Sequence, residues 1–355
     1  MLKRLIYILL LFTLSCIDPY TVDVPEGEQL LTVDGFITNE PGPHLIRLTR
    51  SDTYGSVFQG LIRPVTEAKV ALRDSEGNVT FLTEEVERGS YFTPAGFRVQ
   101  AGRTYILQIE LQNGKTYSSL PEIANSVPQI DSLSYESVRF ATADRLNDRV
   151  GAQIYAHFRD PSDQTNFYYW RTGQGDYVLV ANPELYTLPP TDPVNPRGPA
   201  PKDCCAICYR AEPSRIQRFA IAADENFNGL AQRVPVAFIE DDGMRLRRTY
   251  RAEILQLAVS REAHRFLRLV QQQTNLTGSV FDQPPANIRG NMISLSDPEE
   301  VVLGYFIVAS VDRKALYIKN SDLTELATPK IIPDDCLTVP GATLAPPPYW
   351  NPPRD

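Results

Sequence analysis

The chain has 355 residues, a formal net charge of −8, 43% hydrophobic and 22% charged residues. This is an ordinary globular composition, and the acid excess, with no polybasic run beyond Lys3-Arg4, argues against a nucleic-acid partner. The length makes two domains the expectation, and 29 prolines against 20 glycines favour turns and edge strands over long helices.

Residues 1–16 read as a targeting segment: Lys3 and Arg4 form a positive start, Leu5 to Leu14 is apolar, and Ser15 is the small residue before Cys16. The apolar run is about half of the ~20 residues a membrane-spanning helix needs. A cysteine after a small residue looks like a bacterial lipobox, with Thr13 where leucine is commoner. Ile17 is not the aspartate typical of inner-membrane retention, which favours the outer membrane. The acidic, proline-bearing residues 17–28 suit a tether.

From Leu30 the pattern becomes β. Ala68, Val70 and Leu72 alternate with Lys69, Ala71 and Arg73, Thr104 to Leu111 alternates likewise, and Asn113-Gly114 supplies a tight hairpin turn. About seven short strands fit into residues 29–121, similar to an immunoglobulin-like β-sandwich. Residues 122–130 read as a linker. A second, larger β-rich domain is expected over 131–335, opening with Val150, Ala152, Ile154, Ala156 and Phe158 on one strand face. That period leaves His157 on the surface. In the run Phe167-Tyr168-Tyr169-Trp170 one alternate pair enters the core and the other is exposed or covered by a loop. Residues 182–201 hold seven prolines and form an extended loop. Arg215–Ile221, Arg233–Ile239 and Tyr250–Val259 are further candidate strands.

One amphipathic helix is expected over 260–274. Ala263, Phe266, Leu267 and Val270 fall on one stripe, Ser260 is placed to cap it and Gly278 to stop it. Phe266 is expected to carry the packing, with Arg261, Arg265 and Arg268 on the exposed face. Val301–Ala309 reads as a strand covered on both faces, Ala315–Lys319 as the last strand, and 336–355 as a proline-rich tail.

Cys204, Cys205, Cys208 and Cys336 remain. In an exported protein disulfides are the default, and four cysteines allow three pairings. A bond between adjacent residues is strained and rare, so one of the 204–208 cluster is expected to join Cys336, worth ~4–5 kcal/mol in the chain-entropy model. A four-cysteine zinc site and a redox Cys205-x-x-Cys208 are the rival readings.

Asp224-Glu-Asn226-Phe-Asn228-Gly229 matches the opening of a calcium loop. Its twelfth position is Pro235 rather than glutamate, so a β-turn is preferred, as it is for Glu240-Asp241-Asp242-Gly243. No G-x-S-x-G motif or phosphate-binding glycine loop occurs, and His44, His157 and His264 are scattered. No catalytic residue, cofactor or metal ligand is assigned. Arg289-Gly290-Asn291 is read as a structural corner, with Arg289 pairing to Asp282 or a partner as the alternative.

The run QQQTNLTGSVFDQPPANIRGN, the following EEVVLGYFIVAS, the opening LLTVDGFITNEPGPHLIRLTRS and the closing DDCLTVPGATLAPPPYW together resemble the lipoprotein family known as domain of unknown function 4249. The resemblance implies that Cys16 is the lipidated mature N-terminus, anchored in the outer membrane on its periplasmic or surface side. It further implies a binding or accessory protein, companion to a TonB-dependent transporter in nutrient uptake or envelope assembly. A lipid-anchored hydrolase of glycans or peptides and a purely structural envelope protein are the alternatives. A buried carboxylate pair or a Ser/His cluster in a cleft is the feature that would favour the hydrolase.

Overall fold

The computed structural model describes residues 29–51, 63–85, 87–142, 148–187, 201–214, 219–274 and 288–353. The first strands are β1 (Leu31–Thr38), β2 (Leu45–Arg50), β3 (Arg63–Pro64), β4 (Lys69–Asp74) and β5 (Val79–Phe81). They are followed by β6 (Thr83–Glu84), β7 (Ser90–Phe92), β8 (Thr104–Glu110), β9 (Thr116–Ser119) and β10 (Glu122–Ile123). Next come β11 (Ser132–Phe140), β12 (Arg149–Arg159), β13 (Phe167–Thr172), β14 (Gly175–Val180) and β15 (Ile207–Glu212). Then β16 (Phe219–Ala223), β17 (Ala231–Glu240) and β18 (Tyr250–Ala258) lead to helix α1 (Arg261–Thr274). β19 (Met292–Ser294), β20 (Leu303–Ile318) and β21 (Ala342–Thr343) complete the described chain.

The fold is mainly β, with three sheets and one α-helix among the described residues. The twelve-stranded sheet has the main path β21-β15-β14-β18-β20-β1-β2-β7-β6. A six-stranded sheet runs β19-β9-β8-β4-β5 with β10 on β8, and β11-β12-β17 form the third. Alternation sets the faces as the spacing predicts: Val70 and Leu72 of β4 are buried, and so is the whole row Val150, Ala152, Ile154, Ala156 and Phe158 of β12.

The organising element is β20. Most of Val301–Ala309 and Ala315–Lys319, expected as separate strands, belongs to this one 16-residue strand, Leu303–Ile318. Residues 303–309 run parallel to β1, and residues 310–318 run antiparallel to β18. Phe306 and Val308 enter one core with Leu31, Val33, Ile46 and Leu107. Leu316 and Ile318, on the same face by the period of two, enter a second core with Ile154, Phe158 and Trp170. The expected boundary therefore differs from what the sheet does. Met292, Val302, Phe306 and Val308 complete the N-terminal unit, although they lie far beyond residue 121. Residues 122–130 are not a free linker: β10 pairs with β8, the Asn125 amide donates to the Val259 carbonyl at 3.1 Å, and Ile130 is buried with its N–H on Asp312 at 2.8 Å.

Helix α1 starts where expected. The Ser260 hydroxyl accepts from the Ala263 N–H at 3.0 Å, satisfying one orphan donor of the first turn. Ala263 and Leu267 are the buried members of its stripe. Phe266 is half-buried, its ring centroid 4.7 Å from that of Tyr305, so Leu267 rather than Phe266 takes the central packing role. Gly278 lies outside the described residues. The helix covers Phe167 and Tyr169, which with Leu257 and Ile307 form a third core on the opposite sheet face. Both alternate pairs of the aromatic run are thus buried, the second under a helix and not a loop. Trp170, in the other core, donates its indole N–H to Gln256 Oε1 at 2.8 Å.

Candidate functional site

The region around Gly173 brings together several charged side chains of the twelve-stranded sheet. β13 leaves β18 after the pair Thr172–Ile254, and β14 rejoins it at the pair Asp176–Arg251. Between them Gly173 donates its N–H to the Glu253 carbonyl at 2.8 Å. A Cβ at Gly173 would collide with Glu253 Oε2, and one at Gly175 with the Tyr250 hydroxyl. Glycine lets the chain lie against these side chains, whose ends would have to shift for any larger residue.

On the side facing the three-stranded sheet a cavity of about 300 Å³ has walls of Ala220, Val236, Ile239 and Ala252. At its rim Arg245 Nε donates to both Glu212 oxygens, at 2.7 and 2.9 Å, and the Tyr250 hydroxyl donates to Glu212 Oε2 at 3.2 Å. On the opposite face lies a groove of about 590 Å³, with Arg171, Arg251, Glu253, Leu255, Arg313 and Tyr349 among its lining residues.

The groove is a lattice of ion pairs. Arg251 reaches Asp176 and Glu253, each at 3.4 Å. Arg313 reaches Glu253 at 2.6 Å and Glu40 at 2.8 Å. Hydrogen bonding to Glu40, against the opposing effect of burial, and the nearby Glu253 charge hold the Arg313 guanidinium above its ordinary value. The C-terminal tail closes one end: the Tyr349 hydroxyl donates to Asp176 at 3.1 Å, and the Arg251 guanidinium lies 4.5 Å from the Tyr349 ring centroid. Burial, then the Asp176 carboxylate, push the Tyr349 phenol above its usual range. Trp350 packs edge-on between Tyr209 and Tyr317, both at 5.4 Å.

None of this was assigned from the sequence. Arg171, Arg251–Leu255, Arg313 and Tyr349 come from four separate segments, and no local motif joins them. The residues that were singled out lie elsewhere. Cys208 and Cys336 are bonded, with an S–S distance of 2.03 Å, tying the tail to β15. Cys204 and Cys205 are joined to each other, so the adjacent pairing that the sequence argued against is present: their Cα atoms lie 3.1 Å apart across a cis peptide bond. Cys16 lies outside the described residues.

Asp224 is buried and accepts the Asn166 N–H at 2.7 Å, at the start of a short 3-10 turn. Asp241 accepts from the N–H groups of Gly243 and Ala327, each at 3.0 Å, pinning its own turn. Among the described residues no group of three or more His, Cys, Asp or Glu is placed to hold a metal ion. His157 Nε2 lies 2.7 Å from Ser134 Oγ on the neighbouring strand. His44 Nε2 lies 3.1 Å from the Glu40 carbonyl, and His264 packs on Phe167 with centroids 5.3 Å apart.

Arg289-Gly290-Asn291 forms a corner. Arg289 bridges to Leu303, and the buried Asn291 side chain both accepts from the Phe306 N–H and donates to its carbonyl, each at 2.9 Å. The same amide donates to Glu122 at 3.2 Å. Asp282, the expected partner of Arg289 in the alternative reading, lies outside the described residues.

Compared with known proteins, residues 17–315 match the domain of unknown function DUF4249. No curated protein and no solved structure matches the chain. The family match spans most of the sequence, and the chain belongs to the DUF4249 family.

Proposed function

We propose that the chain is a lipid-anchored outer-membrane binding protein, a companion of a TonB-dependent transporter in nutrient uptake or envelope assembly. The anchor is supported by the sequence: a positive start, a short apolar run and Ser15 before Cys16, with the family match beginning at residue 17. In this reading the N-terminal unit is an immunoglobulin-like sandwich that spaces or docks, and the second unit presents the groove beside Gly173.

The observation that carries binding over hydrolysis is the commitment of the site's acids. Glu253 is held by Arg251 and Arg313, and Glu212 by Arg245 and Tyr250. A general acid or nucleophile keeps an oxygen aimed at substrate, whereas these oxygens are engaged by cations and a phenol of the chain itself.

One contact favours a hydrolase instead, the 2.7 Å approach of Ser134 to His157. It lies on the face of β12 turned away from the core, and a fluorophosphonate probe decides it. Labelling of Ser134 that disappears in His157→Ala would establish a nucleophile.

The test of the main reading is Cys16→Ala. The wild-type chain should incorporate a fatty-acid analogue, sediment with the outer membrane and co-purify with a transporter after crosslinking. The variant should be unlabelled and released, since its apolar run falls short of the ~20 residues of a spanning helix. Equal labelling of both chains refutes the anchor, and crosslinking that recovers no transporter refutes the companion role.

A further inference from the structure

The groove on the helix-bearing face of the large sheet contains one cation, Arg171, with no carboxylate partner among the described residues. Arg171 is half-buried, and its Nε is shut away from water with no hydrogen-bond acceptor. Its guanidinium lies 4.4 Å from the centroid of the Phe36 ring. That stack fixes the plane of the guanidinium but satisfies none of its N–H groups. No ion pair joins Arg171 to a carboxylate among the described residues, whereas Arg251 and Arg313 each reach two. Buried donors of folded proteins almost always have partners.

The strand register says where it would sit. Arg171 pairs with Leu255, and Leu255 pairs with Arg313, so the three form one row across β13, β18 and β20. Helix α1 covers the sheet on one side of this row, over Tyr169 and Leu257. The tail's Tyr349 covers the other side, over Asp176 and Arg251. The strip between them is the groove.

We propose that this groove binds a carboxylate borne on a compact apolar body, received in the fork of Arg171, with the body lying over Leu255 toward Tyr349. The charge of the surroundings selects a monoanion. Arg251 and Arg313 are already engaged by Asp176, Glu253 and Glu40, so Arg171 is the groove guanidinium with no carboxylate partner among the described residues. With it the charges sum to zero, which disfavours more than one added negative charge. The Glu253 carboxylate in the same groove would repel the second charge of a phosphate dianion. A planar guanidinium also matches a carboxylate through two parallel hydrogen bonds, which a lysine in its place could not provide. The inference rests on the reading of the chain as a binder and adds the class of ligand.

The experiment is calorimetric titration of the full chain in detergent with N-acetylphenylalanine, which mimics a peptide end, and with hexanoate, a free acid. N-acetylphenylalaninamide and inorganic phosphate are the comparison probes. At least one of the two acids should bind, and the tighter one identifies the source of the carboxylate. N-acetylphenylalaninamide should bind no better than about a tenth as tightly as that acid. Arg171→Gln should abolish the preference. Arg171→Lys, which keeps the charge and the stem but not the fork, should weaken acid binding while leaving the thermal melt unchanged. Arg265→Gln, on the exposed face of α1, should bind like wild type.

Amide and acid binding alike, phosphate binding as tightly as the acids, acid binding that survives Arg171→Lys and Arg171→Gln, or no binding of either acid would overturn the proposal. Because the titration is blind to where the protein resides, it stands or falls separately from the Cys16→Ala fractionation.

Discussion

Replacing Asn291 with alanine tests the corner that locks the two halves of the chain together. β20 acquires β18 as a neighbour from Ser310 onward, so at Phe306 that edge of the strand is met by the Asn291 side chain. The amide substitutes for a missing strand, accepting from the Phe306 N–H and donating to its carbonyl at 2.9 Å each. Phe306 and Asn291 are both buried, so alanine strands two backbone groups without water. At about 1–3 kcal/mol for each unsatisfied buried group, the loss comes to about 2–6 kcal/mol. Native domains hold about 5–15 kcal/mol in total, so the effect is large.

Equilibrium urea unfolding of the full chain should show it as a lowered midpoint at unchanged slope. Asn291→Asp supplies a second arm. It keeps the acceptor for the Phe306 N–H but loses the donor and sets a carboxylate beside Glu122, now 3.2 Å from the Asn291 amide nitrogen. It should be worst at neutral pH and recover as pH falls. An Asn291→Ala midpoint within about 0.5 kcal/mol of wild type would show that this side chain does not hold the corner.

Glu122 gives a pH signature. Burial raises its carboxyl above the ordinary 4.5, against hydrogen bonds from Tyr305, Ser260 and Asn291 that pull it down. A carboxyl raised in the folded state binds more protons folded than unfolded, so stability is lost as pH rises from that ordinary value through the folded one. Glu122→Gln should flatten this stretch of the stability profile, and an unchanged slope rejects the assignment. The Cys208–Cys336 bridge spans 128 positions, so Cys208→Ser should cost about 5 kcal/mol in the chain-entropy model. The difference should vanish when both proteins unfold in reductant. On the helix, Leu267→Ala should cost about 2–5 kcal/mol and half-buried Phe266→Ala about 1–2 kcal/mol. The reverse order in urea melts would mean that the helical phase is shifted.

Periodicity made the local elements readable. The helix and its Ser260 cap, the buried row of β12 and the strand expected over Arg233–Ile239, which runs from Ala231 to Glu240, follow from the sequence, because each is decided by neighbours within a turn or a strand. β20 was read as two strands because Asp312, Arg313 and Lys314 interrupt its apolar run. Each of those charges meets a partner supplied by remote sequence. Asp312 accepts the Ile130 N–H, Arg313 pairs with Glu40 and Glu253, and Lys314 donates to the carbonyls of Ile130 and Asp131. β11 was missed because its burial is shallow on both faces, so it lacks a clean period. The groove was invisible for a related reason. Arg171 looks like the polar end of an aromatic run, and neither its stack on Phe36 nor its place beside Arg313 has any signal within its own segment.

The parallel pairing of β1 with β20 has a consequence for how the chain is made. Leu31 to Thr38 emerge from the ribosome early, yet their partners are residues 303–309. Until those residues appear, β1 has β2 on one side and an open row of amides and carbonyls on the other. An open edge of this kind is a template for pairing with any other extended chain, and closing a loop of this length is slow. The N-terminal unit would therefore spend nearly the whole of synthesis unable to complete its sheet. A holding factor that shields that edge, or delivery of the whole chain before folding begins, would spare it from joining the wrong strand.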